Sequence, residues 1–291
     1  MSEDAGRHDQ LLSVRDLVVD YPTKHPKGRR RAVDHADFDI ARGETLALVG
    51  ESGSGKTTIA RAIQGLVTPT SGTVLLNGAP ASTRRLSDRR ALAAIVQTVF
   101  QDPYGSVNPA RTVGSILEET LLVQEPGLGR AERRRRVADE LDRVGLPADA
   151  AQRLPRAFSG GQRQRIAIAR AVITRPPLVI CDEAVSALDL SVQAQVLSLL
   201  SDLQAELGVS YLFISHDLAV VRHIATRVAV LEKGRIVDVF AGHDGDSSRW
   251  TAYTRRLFAA APIPDPDLQR AKRAEFEALA RHGQPDDLSV A

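Results

Sequence analysis

Gly50-Glu51-Ser52-Gly53-Ser54-Gly55-Lys56-Thr57-Thr58 is the stretch that decides the fold of this 291-residue chain. Thr45 to Val49 before it is a short apolar run, as a buried strand is, and Thr57 to Leu66 after it reads as a helix. Gly-x-x-x-x-Gly-Lys-Thr between a strand and a helix is a phosphate-binding loop. Its glycines let successive backbone N–H groups curl around an anion, and the helix N-terminus adds partial positive charge. Lys56 is placed to reach the β- and γ-phosphates, and Thr57 to hold Mg²⁺ through its hydroxyl. Such a loop names a very large superfamily and no single function.

Outward from the loop, an α/β rhythm is interrupted once. Leu12 to Tyr21 and Val33 to Ile40 read as strands, with the basic stretch Pro22 to Arg31 as an exposed loop between them. Thr73 to Leu76 reads as a strand entering a tight turn at Asn77-Gly78. From about 102 to 175 the pattern turns helical, at Thr112 to Val123 and Ala131 to Val144, as in a helical subdomain inserted into an α/β core. The rhythm then returns with a strand at Leu178 to Cys181. A helix carrying Val192, Val196, Leu199, Leu200, Leu203 and Leu207 on one face stops at Gly208. Tyr211 to Ile214 is a further strand, and Arg227 to Leu231 with Ile236 to Phe240 forms a hairpin about Lys233-Gly234. From about Pro262 the chain is Pro- and charge-rich, as a loose tail with a short helix.

Three further segments carry chemistry. Ser159-Gly160-Gly161-Gln162 has the Ser-x-x-Gln spacing of a capping box, so a helix starts there. The two glycines leave first-turn N–H groups bare, which makes a second anion site; the plainer reading is a capped helix with glycines chosen for close packing. Leu178 to Cys181 is followed by Asp182 and Glu183. A buried strand ending in Asp suits a Mg²⁺ shell, and Glu183 then stands where a general base for water belongs. His216 follows the strand ending at Ile214, and Gln101 sits where the core passes into the helical region.

Composition narrows the classes. A 43% hydrophobic content supports a sizeable core, and the net charge of +2 gives no electrostatic case for nucleic acid as main partner. Cys181 is the one cysteine, so no intrachain disulfide and no cysteine-based metal cluster can form. The first ten residues have no apolar core of the secretory kind, and no run approaches the length needed to span a bilayer. Any membrane role is therefore expected to pass through a partner.

In this order the segments resemble the nucleotide-binding subunit of ABC transporters, over roughly Leu12 to Phe240. Gly50 to Thr58 matches that family's Walker A motif, Phe158 to Gln162 the signature motif, and Leu178 to Glu183 the Walker B motif. Ser186 to Asp189 matches the D-loop, Gln101 the Q-loop, His216 the switch histidine, and Tyr21 the aromatic that stacks on adenine. Phe100 to Pro109, Cys181 to Asp189 and the tail at Tyr253 to Phe258 and Pro262 to Pro266 look like the oligopeptide, dipeptide and nickel importer branch. Two features depart from that branch. Thr251-Ala252 stands where members often have His-Pro, and cysteines that bind an iron–sulfur cluster in some members are missing, so no cluster is expected.

The resemblance implies a RecA-like α/β P-loop core with an antiparallel β subdomain and the inserted helical subdomain. Together these form an ATPase domain over residues 1–260, with a partly flexible extension over 261–291. It implies ATP and Mg²⁺ as cofactors, and two such domains packed head to tail. Gly50, Glu51, Ser52, Gly53, Ser54, Gly55, Lys56, Thr57 and Thr58 of one chain face Ser159, Gly160, Gly161 and Gln162 of the other across the nucleotide. Tyr21 and Asp189 also contact that nucleotide. Glu183, His216 and Gln101 are the implied catalytic set, and Thr57, Gln101 and Asp182 the implied metal ligands. The implied partners are integral membrane permease subunits, a second ATPase chain (the same or a paralogue) and, indirectly, a solute-binding protein. The implied place is the cytoplasmic face of the inner membrane, as a peripheral subunit importing peptide or a related small solute. The other reading is a soluble ABC-type ATPase acting on nucleic acid or ribosomes. Against it, the chain shows no sustained heptad, one ATPase unit and no zinc cysteines. A P-loop kinase leaves Ser159 to Gln162 and His216 unexplained.

Overall fold

The structure, a computed structural model, describes residues 10–23, 28–81, 86–102, 105, 108–242 and 247–260. The expected tail helix, the extension over 261–291 and the Pro103-Tyr104 pair lie outside these residues.

In chain order the elements are β1 (Gln10–Pro22), β2 (Arg29–Ala41), β3 (Thr45–Val49), α1 (Lys56–Ile63), β4 (Ser71–Leu76), β5 (Ala79–Pro80), α2 (Leu86–Ile95) and β6 (Val96–Val99). They continue with α3 (Val113–Gln124), α4 (Arg130–Arg143), α5 (Gly160–Val172), β7 (Leu178–Asp182), α6 (Leu190–Leu207), β8 (Ser210–Ile214), α7 (Leu218–Ile224), β9 (Arg227–Glu232), β10 (Arg235–Ala241) and α8 (Ala252–Ala260). They build an antiparallel sheet of order β2-β1-β4-β5 and a six-stranded sheet of order β10-β9-β3-β8-β7-β6. In the second sheet β9, β3, β8, β7 and β6 run parallel, and β10 closes one edge antiparallel to β9.

Both faces of the larger sheet are buried, as parallel strands require. Side chains alternate between two cores. Leu46, Leu48, Ile180, Leu212 and Ile214 pack with α1 and the antiparallel sheet. Val179, Cys181, Tyr211 and Phe213 pack with α5 and α6 on the other side. That second core also takes in Val113 and Leu117 of α3 and Val137 and Leu141 of α4, so the helical region between β6 and β7 shares a core with the sheet. A third cluster, with Val49, Val221, Val230, Tyr253 and Phe258, seats α8 and α7 against β3 and β9.

The sequence places β3 at its observed bounds, and Gly208, at φ 67°, ends α6 as expected. One expectation fails. The basic stretch expected to be loop through Arg31 becomes strand from Arg29, because β2 pairs with β1 in register Tyr21↔Arg30 and Asp20↔Arg31. Arg31 Nε lies 3.1 Å from Asp20 Oδ1, so the charge is matched across the strands rather than left to a loop.

Candidate active site

Parallel strands end on one edge of their sheet, and that edge collects the chemistry. β3 runs into Gly50, β7 ends on Asp182, β8 leads to His216, and β6 leads to Gln101. The register holds these ends level: Leu48 pairs with Ile214, Asp182 with Ile214, and Cys181 with Val99.

The phosphate loop is locked by its neighbours. At Gly50, φ 152°, a Cβ would lie 2.2 Å from the Leu231 carbonyl oxygen; at Gly55, φ 116°, it would lie 2.4 Å from that of Ala32. Neither position admits a side chain. The Gly234 N–H, in the β9–β10 turn, donates to the Ser54 carbonyl at 2.8 Å. Helix α1 has no side-chain cap, so its first N–H groups remain available to an anion. Lys56 is buried, and its Nζ donates to the carbonyls of Gly50 at 2.7 Å and Glu51 at 2.8 Å. Burial lowers the pKa of Lys56, against which Glu183, Asp182 and Glu51 hold the proton on.

A cavity of about 520 Å³ opens over this loop. Tyr21 and Arg30 of the antiparallel sheet line one side, Ser52, Gly53 and Gly55 to Thr58 the floor, and Glu183 the far end. Its size lies within the range of small-molecule sites. The Tyr21 hydroxyl is buried without a hydrogen-bond partner.

Glu183 takes a left-handed backbone, φ 52°, fixed by its N–H donating to the Ile214 carbonyl at 3.0 Å. A left-handed non-glycine residue at a strand end is a feature of functional sites. Glu183 Oε1 stands 3.3 Å from His216 Nδ1, so two residues 33 positions apart in sequence meet as an acid–imidazole pair. The Asp182 carboxyl is pushed above its ordinary pKa, by burial first and then by Glu183, while Arg61 and Lys56 oppose the rise.

Ser159 opens α5 with the expected capping box: its Oγ accepts the Gln162 N–H at 3.3 Å, and Gln162 Oε1 accepts the Ser159 N–H at 3.0 Å. The two glycines differ. A Cβ on Gly161 would meet Val192 Cγ1 at 2.4 Å, so close packing on α6 explains it, while Gly160 faces open space. Asp189 is the N-cap of α6, its Oδ1 accepting the Val192 N–H at 3.0 Å. None of Ser159 to Gln162, Asp189, Gln101 or His216 lines the loop cavity.

The sequence profile of the ABC transporter family matches residues 33–186, more than half of the chain. A putative peptide import ATP-binding protein of Brucella ovis is 47% identical over 264 residues, covering 90% of this chain and 82% of the relative. The oligopeptide transport ATP-binding protein OppF of Escherichia coli is 46% identical over 273 residues, covering 91% and 82%. This chain belongs to the ABC transporter family. Among solved structures, a dimeric ATP-binding cassette, MJ0796, in a post-hydrolysis state with ADP and Pi superposes with a TM-score of 0.72 at 27% identity. It covers 80% of this chain and all of that one.

For an ABC cassette, the metal question turns on donor chemistry. Among the described residues no group of three or more His, Cys, Asp or Glu side chains could hold an ion. Thr57 and Asp182 offer hard oxygens at the floor of the cavity and the end of β7. That donor set fits Mg²⁺, which takes one or two protein oxygens and fills its shell from phosphates and water. Two residues at the site escaped sequence reasoning. Arg30 reaches the cavity because β2 starts early, and Tyr253 reaches the phosphate loop from α8. Neither has a local signal, since the contact between Tyr253 and Glu51 spans 202 positions.

Proposed function

We propose that this chain is the ATP-hydrolysing subunit that energises import of peptides, or a related small solute, through a membrane ABC transporter. The observation that carries the reading is the cavity floored by Ser52, Gly53 and Gly55 to Thr58 and ended by Glu183, with His216 against Glu183. In this proposal the loop N–H groups and Lys56 take the triphosphate, Tyr21 stacks on the base, and Glu183 draws a proton from the attacking water. His216 holds that water and the γ-phosphate in line. Thr57, Asp182 and Gln101 would hold Mg²⁺, which supplies charge neutralisation at the β- and γ-oxygens. Ser159 to Gln162, with Asp189, belong to the far wall of a second chain's site, which accounts for their absence from the cavity of their own. The dimeric MJ0796 cassette supports the two-chain form.

The peptide class is supported by the Brucella ovis and Escherichia coli relatives, whose names carry it. Among the described residues no helix is long and apolar enough to cross a membrane. We place the permease subunits on separate chains, with this one on their cytoplasmic side. Leu66, Phe100, Leu122 and Val123 are large exposed apolar side chains. Two clefts that share Arg170, one lined by Leu66 and Phe100 and the other by Val123, suit insertion of a helix from such a subunit. Residues of about 102–175 would carry closure from Gln101 to these clefts. The Arg133 to Arg136 cluster does not favour nucleic acid, since Arg135 pairs with Glu132 and Arg136 with Glu125.

Affinity purification from solubilised membranes tests the reading. Integral membrane subunits should co-purify, and ATPase activity should rise when a peptide-loaded binding protein is added. Bound nucleic acid or ribosomes instead would contradict it.

A further inference from the structure

The first peptide of the phosphate loop is held from outside the nucleotide-binding core. The Glu51 N–H donates to the Tyr253 hydroxyl at 3.2 Å, and Glu51 lies next to Gly50. The carbonyls of these same two residues are the acceptors of Lys56 Nζ. Tyr253 therefore grips the segment on which the buried lysine rests.

The grip is built with care. Tyr253 is the second residue of α8, and the start of α8 is clamped to β10. Asp238 Oδ2 accepts the Thr251 N–H at 3.0 Å and the Thr251 hydroxyl at 2.7 Å, and it accepts the Thr254 hydroxyl as well. Thr251 Oγ1 in turn accepts the Thr254 N–H at 3.3 Å, as an N-cap does. Phe258, edge-on to Phe240, tilted against Trp250 and beneath the Arg222 guanidinium, fixes the far end of the helix. The Tyr253 ring is buried, and burial raises the pKa of its hydroxyl, against the lowering effect of the Glu51 N–H it accepts.

We propose that Tyr253 is a positioning residue for ATP binding: anchored by the Asp238–Thr251–Thr254 clamp, its hydroxyl preorganises the Gly50–Glu51 peptide and, through it, Lys56. The inference rests on the reading of Gly50 to Thr58 as the ATP loop. Tyr253 touches no reacting atom, so its loss should weaken binding of ground state and transition state alike, raising KM and sparing kcat.

The test uses the full chain and its steady-state ATPase. Tyr253→Phe keeps the ring and removes only the acceptor. We expect KM for ATP to rise about three- to tenfold, the scale of one hydrogen bond, with kcat within about twofold of wild type. Asp238→Ala should raise KM in the same direction. In the double variant KM should match the larger single effect rather than the product of the two, because both act through one hydroxyl. An unchanged KM in Tyr253→Phe would overturn the proposal, and so would multiplying effects in the double variant. Failure of the underlying reading looks different: the wild-type chain itself would then show no saturable ATPase.

Discussion

Two helix N-termini of the chain, those of α1 and α5, are built in opposite ways. At α1 the cap residue is Gly55 in a left-handed conformation, with no side chain spent on the first turn, and the loop before it is enclosed by Leu231, Ala32 and Gly234. At α5 the cap is Ser159, whose hydroxyl and backbone N–H are already exchanged with Gln162. Ser159 is exposed, while Lys56 is buried. The first terminus keeps its donors bare of any side-chain cap. The second has consumed part of its donor set on itself, leaving the Gly160 end open, and is a weak anion site alone. It gains value only opposite a phosphate held elsewhere. That difference is the physical basis we propose for a site shared between two chains.

The largest effect should come from breaking the chemistry on the strong side. Glu183→Gln keeps the size and removes the carboxylate beside His216. ATP turnover should fall by about 10²–10⁴-fold, with ATP binding retained, in a steady-state assay paired with a binding titration. Equal rates would remove Glu183 from the mechanism.

The weak side can be sharpened by its two glycines. Gly161→Ala drives a methyl into Val192 and should cost about 1–3 kcal/mol of stability, read by denaturant unfolding and relieved by Val192→Ala. Gly160→Ala meets nothing in its own chain and should leave stability within about 0.5 kcal/mol of wild type. If the exposed helix end faces a second chain's phosphate, Gly160→Ala lowers ATPase activity all the same. If α5 is only a packed, capped helix, it does not.

Legibility in the sequence follows how local the cause is. Gly50 to Thr58 and the capping box at Ser159 are short-range constructions, and their residue types and spacing were enough. So was β7, whose unbroken apolar run states that both faces are covered. Helix α2 was missed because Leu86 to Ile95 passes into β6 at Val96 with no Gly or Pro between them. Helix α7 has 7 residues, too few for a periodic pattern, and is nucleated by Asp217, whose Oδ1 accepts the Ala219 and Val220 N–H groups. The early start of β2 depends on the partner strand, and the Tyr253 contact on three elements meeting. No window of sequence contains either cause.

The most direct test of the shared site is the mass of the Glu183→Gln chain in solution, by light scattering, with and without Mg-ATP. The account predicts one chain without nucleotide and two with it. Adding Ser159→Arg to the same chain should keep ATP binding measurable, weakened only by the lost coupling to dimerisation, and return the mass to one chain. A mass that ignores ATP both for the chain alone and with a paralogous ATPase chain added, or a Ser159→Arg chain that no longer binds it, would contradict a site divided between two chains.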